Sequence, residues 1–397
     1  MHRHSGIPAA ELDERRGRLL RFIEERRLTG FVLFGEHSIR YFTSFNFLAT
    51  ERPVAVAGGR SGDLAVFVPE FEVERVQAET TFGRVESYPE YPGTEHPMRI
   101  LGRVLADMGI DGAVGADSDG YPGILGYEGP TLGEVMGADV IPLTPLIESM
   151  MVRKSEAEVE LIRESARWCE HAHRLLQEYT RPGVTESQAS LRAGYEASLA
   201  MIDELGPAYG GQQASSDGAA AGYRGQIGLR SSWAHAVSHN LEFQEGDLLV
   251  TETSAPVWGY NAELERGMVV GAPSDEVRRM FDHTVASQQV AFDALRPGVT
   301  CADIDRAVLA YLEANGLLSS WRQHVGHGIG LRNHEAPFLD IGDHTVVEPG
   351  MVFTIEPGLY DDVIGGFRHS DTVVVTEDGI DILTSYPKDI ESLTIAA

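Results

Sequence analysis

Hydrophobic and polar positions follow two different periods in the first part of the chain. Residues 11–28 place Leu19, Leu20, Phe22 and Ile23 on one side of a helical pattern, with charged positions on the other side. Short apolar runs and further helical patterns follow. The runs Phe31–Phe34, Val54–Val56, Leu64–Val68 and Ala113–Gly115 predict strands, and Pro69–Glu79 and Pro97–Met108 predict helices. This alternation predicts a small α/β domain over residues 1–150.

The rest of the sequence contains an internal repeat. The letters RPGVT occur at Arg181–Thr185 and again at Arg296–Thr300. A long helical pattern precedes each copy and another follows it, at Glu156–Tyr179 and Glu186–Ala200, and at Asp275–Leu295 and Ala302–Asn315. In each copy the Pro-Gly pair ends one helix and the threonine caps the next. Duplicated helix pairs followed by strands predict an α+β domain with a pseudo-twofold internal repeat over residues 151–397.

The charge of the chain narrows the choice of partners. Its 397 residues include 32 basic and 60 acidic side chains, a net charge of −28, and its only lysines are Lys154 and Lys388. Such a surface repels nucleic acid and anionic membranes, so neither is an expected partner. The acid excess is typical of a salt-adapted, halophilic protein, whereas the preference for arginine is also typical of a GC-rich genome. A polar start and the lack of about 18 consecutive apolar residues predict a cytoplasmic protein.

Three acidic side chains occupy neighbouring strand patterns of the second domain. Glu263 and Glu265 alternate along one pattern, so their side chains point to the same face of the predicted strand. Glu252 lies on the preceding pattern, across a turn at residues 257–259, and a hairpin there would bring the three acids together. A solvated sheet face is the alternative, but the apolar run Leu248–Val250 favours a central strand.

Two histidines lie in the glycine-rich segment VGHGIGLRNHEAP. The glycines around His327 allow backbone and ligand to approach closely, and His334 follows in the same segment. Glu356 lies within TIEPG at the predicted end of a strand, and Ser370 lies in the final strand pattern GGFRHSDTV. His235 lies in the loop before the acidic strands, and its imidazole is suited to proton transfer near neutral pH.

This order of motifs resembles the pita-bread superfamily of creatinases, prolidases and aminopeptidases P. The resemblance implies an α/β N-terminal domain, an α+β pita-bread catalytic domain, and a homodimer in which one subunit's N-terminal domain reaches its partner's cleft. In the metallopeptidases of that superfamily, two divalent metals are held by Asp, Asp, His, Glu and Glu. The corresponding positions here carry Glu252, Glu263, His327, Glu356 and Ser370.

The substitutions at these positions disfavour a pair of metals. Glutamate in place of aspartate adds a methylene and moves the ligand oxygens, and the hydroxyl of Ser370 is a poor bridge between two dications. One metal on Glu263, His327 and Glu356 is feasible, with manganese or zinc as the ion, and Glu252 is the remaining candidate ligand.

Creatinase is the superfamily member that works without metal, and several positions resemble it. Its two key glutamates correspond to Glu265 and Glu356, and its proton-shuttling histidine corresponds to His235. Its arginine that binds the substrate carboxylate lies in a G-R-P run, which resembles the E-R-P run around Arg52. Another creatinase arginine corresponds to Phe338, and this difference argues against creatine itself as the substrate.

Four glutamates around one cleft cannot all stay ionised without positive charge among them. The candidates for that charge are a metal, Arg266 or Arg368 on the adjoining strands, and a cationic group of the substrate. The substrate class expected from these features is a small molecule or a dipeptide.

The leading hypothesis is a metal-independent, creatinase-like hydrolase that cleaves a C–N bond of a small substrate and uses no cofactor. In this hypothesis Glu265 and Glu356 hold a cationic or amide nitrogen, and His235 activates water and protonates the leaving nitrogen. The two histidines of the glycine-rich segment orient the substrate, and Arg52 binds its carboxylate. One alternative is an Xaa-Pro dipeptidase or aminopeptidase with one divalent metal or an atypical pair. The other alternative is a non-catalytic pita-bread binding protein.

Overall fold

The computed structural model describes residues 6–80, 83–121, 126–206 and 218–397. Their tertiary contacts divide the chain into two compact units, one from Gly6 to Met150 and one from Met151 onward. Among the helices of these ranges, none is both long and apolar enough to cross a bilayer. Each unit has its own sheets and its own set of buried apolar side chains.

The N-terminal unit is an α/β domain, as the alternating patterns predict. Its strands are β1 (Gly30–Leu33), β2 (Ala55–Gly59), β3 (Leu64–Pro69), β4 (Arg84–Tyr88), β5 (Val114–Ala116) and β6 (Val140–Pro142). Its helices are α1 (Ala9–Glu25), α2 (Glu36–Thr43), α3 (Val73–Glu79), α4 (Pro97–Asp107), α5 (Leu132–Met136) and α6 (Thr144–Met151). The sheet follows the order β4-β3-β2-β1-β5-β6. Strand β2 runs antiparallel to β1 and β3, and the other pairs are parallel.

Helix α1 forms because its apolar residues recur at helical spacing. Leu12, Leu19 and Ile23 are buried on one side, and the charged residues lie mostly on the other. Helix α4 begins with Pro97, whose fixed φ suits the first helical position. The predicted helices at both places are confirmed, with ends that differ by at most three residues.

The helix pairs of the C-terminal unit confirm the predicted repeat. The first pair is α7 (Glu156–Tyr179) and α8 (Glu186–Leu205), and the second is α9 (Asp275–Ala294) and α10 (Cys301–Ala314). Thr185 and Thr300 cap α8 and α10 with reciprocal capping boxes. Gly183 and Gly298 both have a positive φ and both donate their N–H to a backbone carbonyl of a later segment, at 3.0 and 2.9 Å. The two copies therefore share their helices, caps and anchoring contacts.

The strands of the C-terminal unit carry the candidate site. They are β7 (Ala220–Gly222), β8 (Leu248–Val250), β9 (Glu252–Ser254), β10 (Glu263–Glu265), β11 (Gly267–Val270), β12 (Gly326–Gly328), β13 (Glu335–Leu339), β14 (Val352–Ile355), β15 (Gly358–Asp361), β16 (Gly365–Arg368), β17 (Ser370–Val375), β18 (Ile380–Ile382) and β19 (Thr394–Ile395). The main sheet follows the order β13-β12-β14-β17-β10-β9-β7, with β18 beside β17. Smaller sheets join β19-β11-β8 and β15-β16. Helix pairs with separate, largely antiparallel sheets form the predicted α+β class.

Strand β10 lies between β9 and β17 and carries two of the predicted acids. Glu263 pairs with Ser254 on β9, and Glu265 pairs with Ser370 on β17, both in antiparallel register. The predicted hairpin turn forms at Val257 and Tyr260, whose backbones bridge. This register places acidic side chains of neighbouring strands on one face of the sheet.

Candidate active site

The predicted acids meet in one cleft of about 240 Å³ in the C-terminal unit. The lining includes each acid of the predicted site and two of its histidines: Glu252, Glu263, Glu265, Glu356, His235 and His334. The third histidine, His327, is fully buried, and its ring stacks on that of His334 with a centroid distance of 3.8 Å. Segments that lie far apart in sequence therefore converge on one site.

Alternation along β10 and β17 decides which side chains reach the cleft. Glu263 and Glu265 line it, whereas the leucine between them is buried in the core. Ser370 faces the same side, because its Oγ donates a hydrogen bond to Glu263 Oε1 at 2.8 Å. The next residue, Asp371, pairs with Arg266 at 2.8 Å instead. Arg266 is thus committed elsewhere and does not supply the positive charge of the cleft.

Glu263, His327 and Glu356 bring three ligand atoms within 4.8 Å of one another, and all three side chains are buried. They come from β10, from β12 and from the residue that follows β14, so only the folded sheet brings them together. Two carboxylates and one imidazole form a donor set that suits manganese or zinc. The residues present therefore fit one divalent ion.

The imidazole of His327 is oriented as a metal ligand would be. Its Nδ1 lies 2.9 Å from the carbonyl oxygen of Gly328, which favours the proton on Nδ1 in the neutral ring. Its Nε2 lies 3.1 Å from Glu356 Oε1 but without hydrogen-bond geometry, so Nε2 is buried with no hydrogen-bond partner among the described residues. The close packing here requires Gly326, where a Cβ would lie 2.0 Å from the carbonyl oxygen of Thr354. Without an ion, the neighbouring carboxylates favour a proton on this nitrogen, and a divalent ion bound there would replace that proton.

Mutual repulsion among the buried carboxylates appears in their pKa values. Burial, followed by Glu356 and Glu265, raises the pKa of Glu263 well above its usual range. Burial raises the pKa of Glu265 to about 7, although Arg368 opposes this shift. In the Glu356–His327 pair, attraction between the two groups outweighs burial, lowering the pKa of Glu356 to about 2 and raising that of His327 to about 9. Positive charge among these acids would relieve the repulsion.

Two arginines already supply part of that charge. Arg368 is 3% exposed and holds both carboxylate oxygens of Glu265, with its Nη2 at 2.6 Å from Oε1. Arg224 pairs with Glu252, with Nε at 2.5 Å from Oε2. Two of the four cleft acids are therefore neutralised by side chains of this chain.

The remaining two acids are those of the ligand group. Glu263 accepts a hydrogen bond from the neutral Ser370 hydroxyl, and Glu356 faces the imidazoles of His327 and His324, the latter at 3.9 Å. In the part of the chain that the structure describes, neither has an arginine or lysine within ion-pair distance. Among the described residues, the histidine rings are thus the one source of positive charge beside the carboxylates where the ligand atoms converge.

The two outer histidines lie in different surroundings. His334 stacks on His327 at an interplanar angle of 16°, and partial burial together with the positive charge of His327 lowers its pKa to about 4. His235 lines the cleft from an exposed loop position. Both can therefore contact a ligand in the cleft.

Arg52 belongs to the N-terminal unit, where it pairs with Glu51 at 2.5 Å and with Glu90 at 2.7 Å. Its side chain is 30% exposed. A role for Arg52 in binding a substrate carboxylate depends on a second subunit, and it stays a prediction.

Four polar residues of the cleft are missing from the sequence-based prediction: Arg224, Arg322, Gln323 and His324. No local pattern marks Arg224, which reaches the cleft from the residue stretch after β7. The other three directly precede β12 and the predicted histidine segment. Their position next to that segment is the one signal that could have identified them.

Comparison with known proteins identifies the family. Residues 160–377 match Metallopeptidase family M24, and residues 15–150 match the Creatinase/Prolidase N-terminal domain. This chain belongs to the metallopeptidase family M24. It is therefore a hydrolase that acts on C–N bonds, and its C-terminal domain has the pita-bread fold of that family.

Several proteins that are similar to this chain are named dipeptidases. The chain is 26% identical to the Xaa-Pro dipeptidase of Pyrococcus furiosus over 381 residues, which cover 96% of this chain and 100% of that protein. It is 26% identical to the probable dipeptidase PepE of Mycobacterium bovis over 366 residues, 91% of this chain and 92% of that one. Among solved structures, the Xaa-Pro dipeptidase from Bacillus anthracis superposes on this chain with a TM-score of 0.79 at 25% sequence identity. The match covers 97% of this chain and 100% of that protein's chain.

The family assignment corrects the leading sequence-based hypothesis. A cofactor-free site was the first expectation, and it is wrong, because the chain belongs to a family of metallopeptidases and its buried ligand atoms fit an ion. The metal-independent, creatinase-like reaction was based on that expectation and is no longer supported. The error came from weighing each substituted ligand position alone, whereas Glu263, His327 and Glu356 still converge. The alternative of a non-catalytic binding protein is likewise displaced by membership in a family of hydrolases.

Proposed function

We propose that this chain is a dipeptidase that hydrolyses Xaa-Pro-type dipeptides with one divalent ion, manganese or zinc, held by Glu263, His327 and Glu356. The M24 family membership and the dipeptidase names of its relatives support the reaction class. The observation that carries the proposal is the convergence of three buried ligand atoms within 4.8 Å around a histidine nitrogen that has no hydrogen-bond partner in the described chain.

The charges of the cleft favour one ion over two. Arg224 and Arg368 pair with Glu252 and Glu265, so these acids do not require a second dication. The neutral hydroxyl of Ser370 donates to Glu263 and thereby occupies a lone pair of that ligand. Adding a second dication beside two arginines would place like charges close together in a buried site.

The chain's own residues have distinct tasks in this proposal. When bound, the ion supplies Lewis-acid polarisation of the scissile carbonyl and lowers the pKa of a bound water. His334, stacked on His327, is placed to donate a hydrogen bond to the substrate from the wall of the cleft. His235 protonates the leaving nitrogen from its loop. Glu265, held by Arg368 through both oxygens, orients that arginine and does not bind a substrate cation.

Metal removal tests the proposal. The purified protein is stripped with EDTA, reloaded with manganese or zinc, and analysed by mass spectrometry for bound metal and by proline release from Ala-Pro. We expect about one ion per chain and hydrolysis that disappears with the metal and returns with it. His327→Ala should abolish metal binding, and His324→Ala is the matched control that should retain it. Two ions per chain would overturn the single-ion assignment, and undiminished hydrolysis by fully stripped protein would overturn the metal role.

A further inference from the structure

The sign of the charged side chains in the cleft changes between its buried interior and its solvent-exposed rim. Glu263, Glu265 and Glu356 are at most 8% exposed, whereas the side chain of Arg322 is 36% exposed. Arg322 lines the same cleft, from the segment that leads into β12. The cleft therefore has a negative interior and a positive group toward solvent, a polarity that a zwitterionic or carboxylate-bearing ligand would complement.

The segment that carries Arg322 is held in place on both sides. The preceding Trp321 forms a backbone bridge with Leu359. The following Gln323 donates a hydrogen bond from its Nε2 to the carbonyl oxygen of Glu356 at 2.7 Å and accepts one from the Tyr360 hydroxyl. The guanidinium itself donates from Nη1 to the carbonyl oxygen of Ser232 at 3.4 Å. This contact holds one end of the group without a ligand, and preorganised groups bind at lower cost.

The present counterion of Arg322 is easily replaced. Arg322 Nη2 lies 2.8 Å from Asp362, a side chain that is 75% exposed and outside the cleft lining. Ion pairs this exposed contribute little, because water competes for both partners. A carboxylate inside the cleft would be better shielded from water and could use the planar fork of the guanidinium.

The other two arginines of the cleft already pair with acids of the cleft and are not free to bind a ligand carboxylate. Arg224 pairs with Glu252, which itself lines the cleft, and Arg368 is buried against Glu265 through two contacts. Of the arginines that line the cleft in the described ranges, Arg322 is the one whose counterion lies outside it. The geometry therefore singles out Arg322 for an anionic group of the substrate.

We propose that Arg322 binds the free C-terminal carboxylate of the substrate and so restricts the enzyme to dipeptides. This inference rests on the proposed peptidase function and adds the determinant of substrate length. The carboxylate lies toward the mouth of the cleft, and the scissile amide lies toward Glu263, His327 and Glu356. A peptide with a blocked C-terminus has no carboxylate there, and a longer peptide has its carboxylate further from the scissile bond. Neither can form the ion pair with Arg322.

Hydrolysis of Ala-Pro and of its C-terminal amide by the metal-loaded enzyme tests this specificity. We expect the wild-type KM to be about 10- to 100-fold lower for the free acid, the range of a charge-assisted bidentate pair. In Arg322→Met this preference should vanish through a higher KM for Ala-Pro, with kcat changed far less. Arg322→Lys keeps the charge without the fork and should recover part of the preference. A preference that survives in Arg322→Met would overturn the proposal.

Two matched variants identify the source of any carboxylate preference. Asp362→Asn removes the present counterion and leaves the cleft intact, so the KM for Ala-Pro should stay equal or fall. Arg52→Met tests the clamp proposed from the sequence. If Arg52→Met abolishes the preference and Arg322→Met does not, Arg52 is the carboxylate ligand and the assignment to Arg322 is wrong. Circular dichroism of each variant shows whether it is folded.

A binding measurement separates failure of this inference from failure of the peptidase proposal. Calorimetry on the metal-loaded protein uses the Ala-Pro analogue with a CH2–N bond in place of the amide, as free acid and as C-terminal amide. Tighter binding of the acid that depends on Arg322, without turnover of any dipeptide, would support the anion site and remove the peptidase function. Turnover with equal affinity for the two analogues would do the reverse.

Discussion

A buried side chain stays charged most readily when a side chain of opposite charge lies in contact with it. Glu265 and Arg368, at most 3% exposed, meet through two contacts. Removing one partner of such a pair leaves an uncompensated charge and typically costs about 3–5 kcal/mol, more than removing both. Glu263 is buried to a similar degree, and among the described residues its carboxylate accepts a hydrogen bond only from the hydroxyl of Ser370. The protonated imidazole of His327 favours its ionisation but does not offset burial, and a bound dication would favour it further.

Asp305 on α10 shows the cost of a buried acid that lacks such a partner. It is 3% exposed, its Oδ1 has no hydrogen-bond partner among the described residues, and burial followed by Asp340 raises its pKa to about 6. A raised carboxyl pKa in the folded state means that stability is lost as pH rises from about 4 to about 6. Asp305→Asn should therefore raise the free energy of unfolding by on the order of 1–2 kcal/mol at pH 8.

The control for Asp305→Asn is the same measurement at low pH. At pH 3 the aspartate is largely protonated in both states, so urea unfolding of the variant and of the wild type should give nearly equal stabilities. A gain of the same size at pH 3 and pH 8 would show that packing, and not ionisation, is responsible.

At the scale of elements, buried contacts fix the segment that carries His334. Lys154 Nζ lies 2.8 Å from Glu335 Oε2, and both side chains are at most 6% exposed. The other oxygen of Glu335 accepts the backbone N–H of Arg332 at 3.0 Å. The turn between β12 and β13 is therefore anchored to the start of the C-terminal unit, which keeps the histidine at the wall of the cleft.

The repeated caps offer a paired test of the duplicated helices. Thr185→Ala and Thr300→Ala each remove a side-chain oxygen that accepts the N–H of the third helical residue. Each substitution should lower the free energy of unfolding by about 1 kcal/mol. Thermal unfolding followed by circular dichroism measures both. Serine at either position keeps the hydroxyl and should restore most of the loss. A much larger loss at one site would show that this threonine has a task its counterpart lacks.

At the scale of the whole molecule, the net charge of −28 sets the long-range electrostatics. Self-repulsion of this size opposes compaction and is screened by salt, because the Debye length falls to about 3 Å at 1 M. The cytoplasmic location, the homodimer and the salt-adapted habitat stay predictions. Of these, the habitat has a direct physical test.

The melting temperature as a function of KCl distinguishes the two explanations of the acidic composition. In both cases we expect a rise of several degrees between about 0.1 M and 1 M, because screening reduces repulsion. Salt adaptation predicts a further rise above 1 M, whereas a GC-rich genome that favours arginine over lysine predicts a plateau. The same titration near the isoelectric point of about 4.8 is the control and should give a shallower slope. A melting temperature that does not respond to KCl would contradict both explanations.

Much of the fold follows from short-range pattern. The helices Glu156–Tyr179 and Asp275–Ala294 form where their periodicity predicts them, and the threonine caps lie where the repeat places them. These features depend on neighbours within a few residues, which a sequence displays directly. Alternation along β10 likewise predicts that Glu263 and Glu265 share a face, and both line the cleft.

The sequence by itself determined the superfamily, the two fold classes, and the acids and histidines that meet in the cleft, except for His324. Only the tertiary structure decided which charges pair there. Arg368 and not Arg266 binds Glu265, although 103 residues separate them in sequence, and Arg224 enters the cleft without any local signal. The reason is physical: strand register and loop packing set the distances between charges from distant segments. Residue type alone sets only which pairings are allowed.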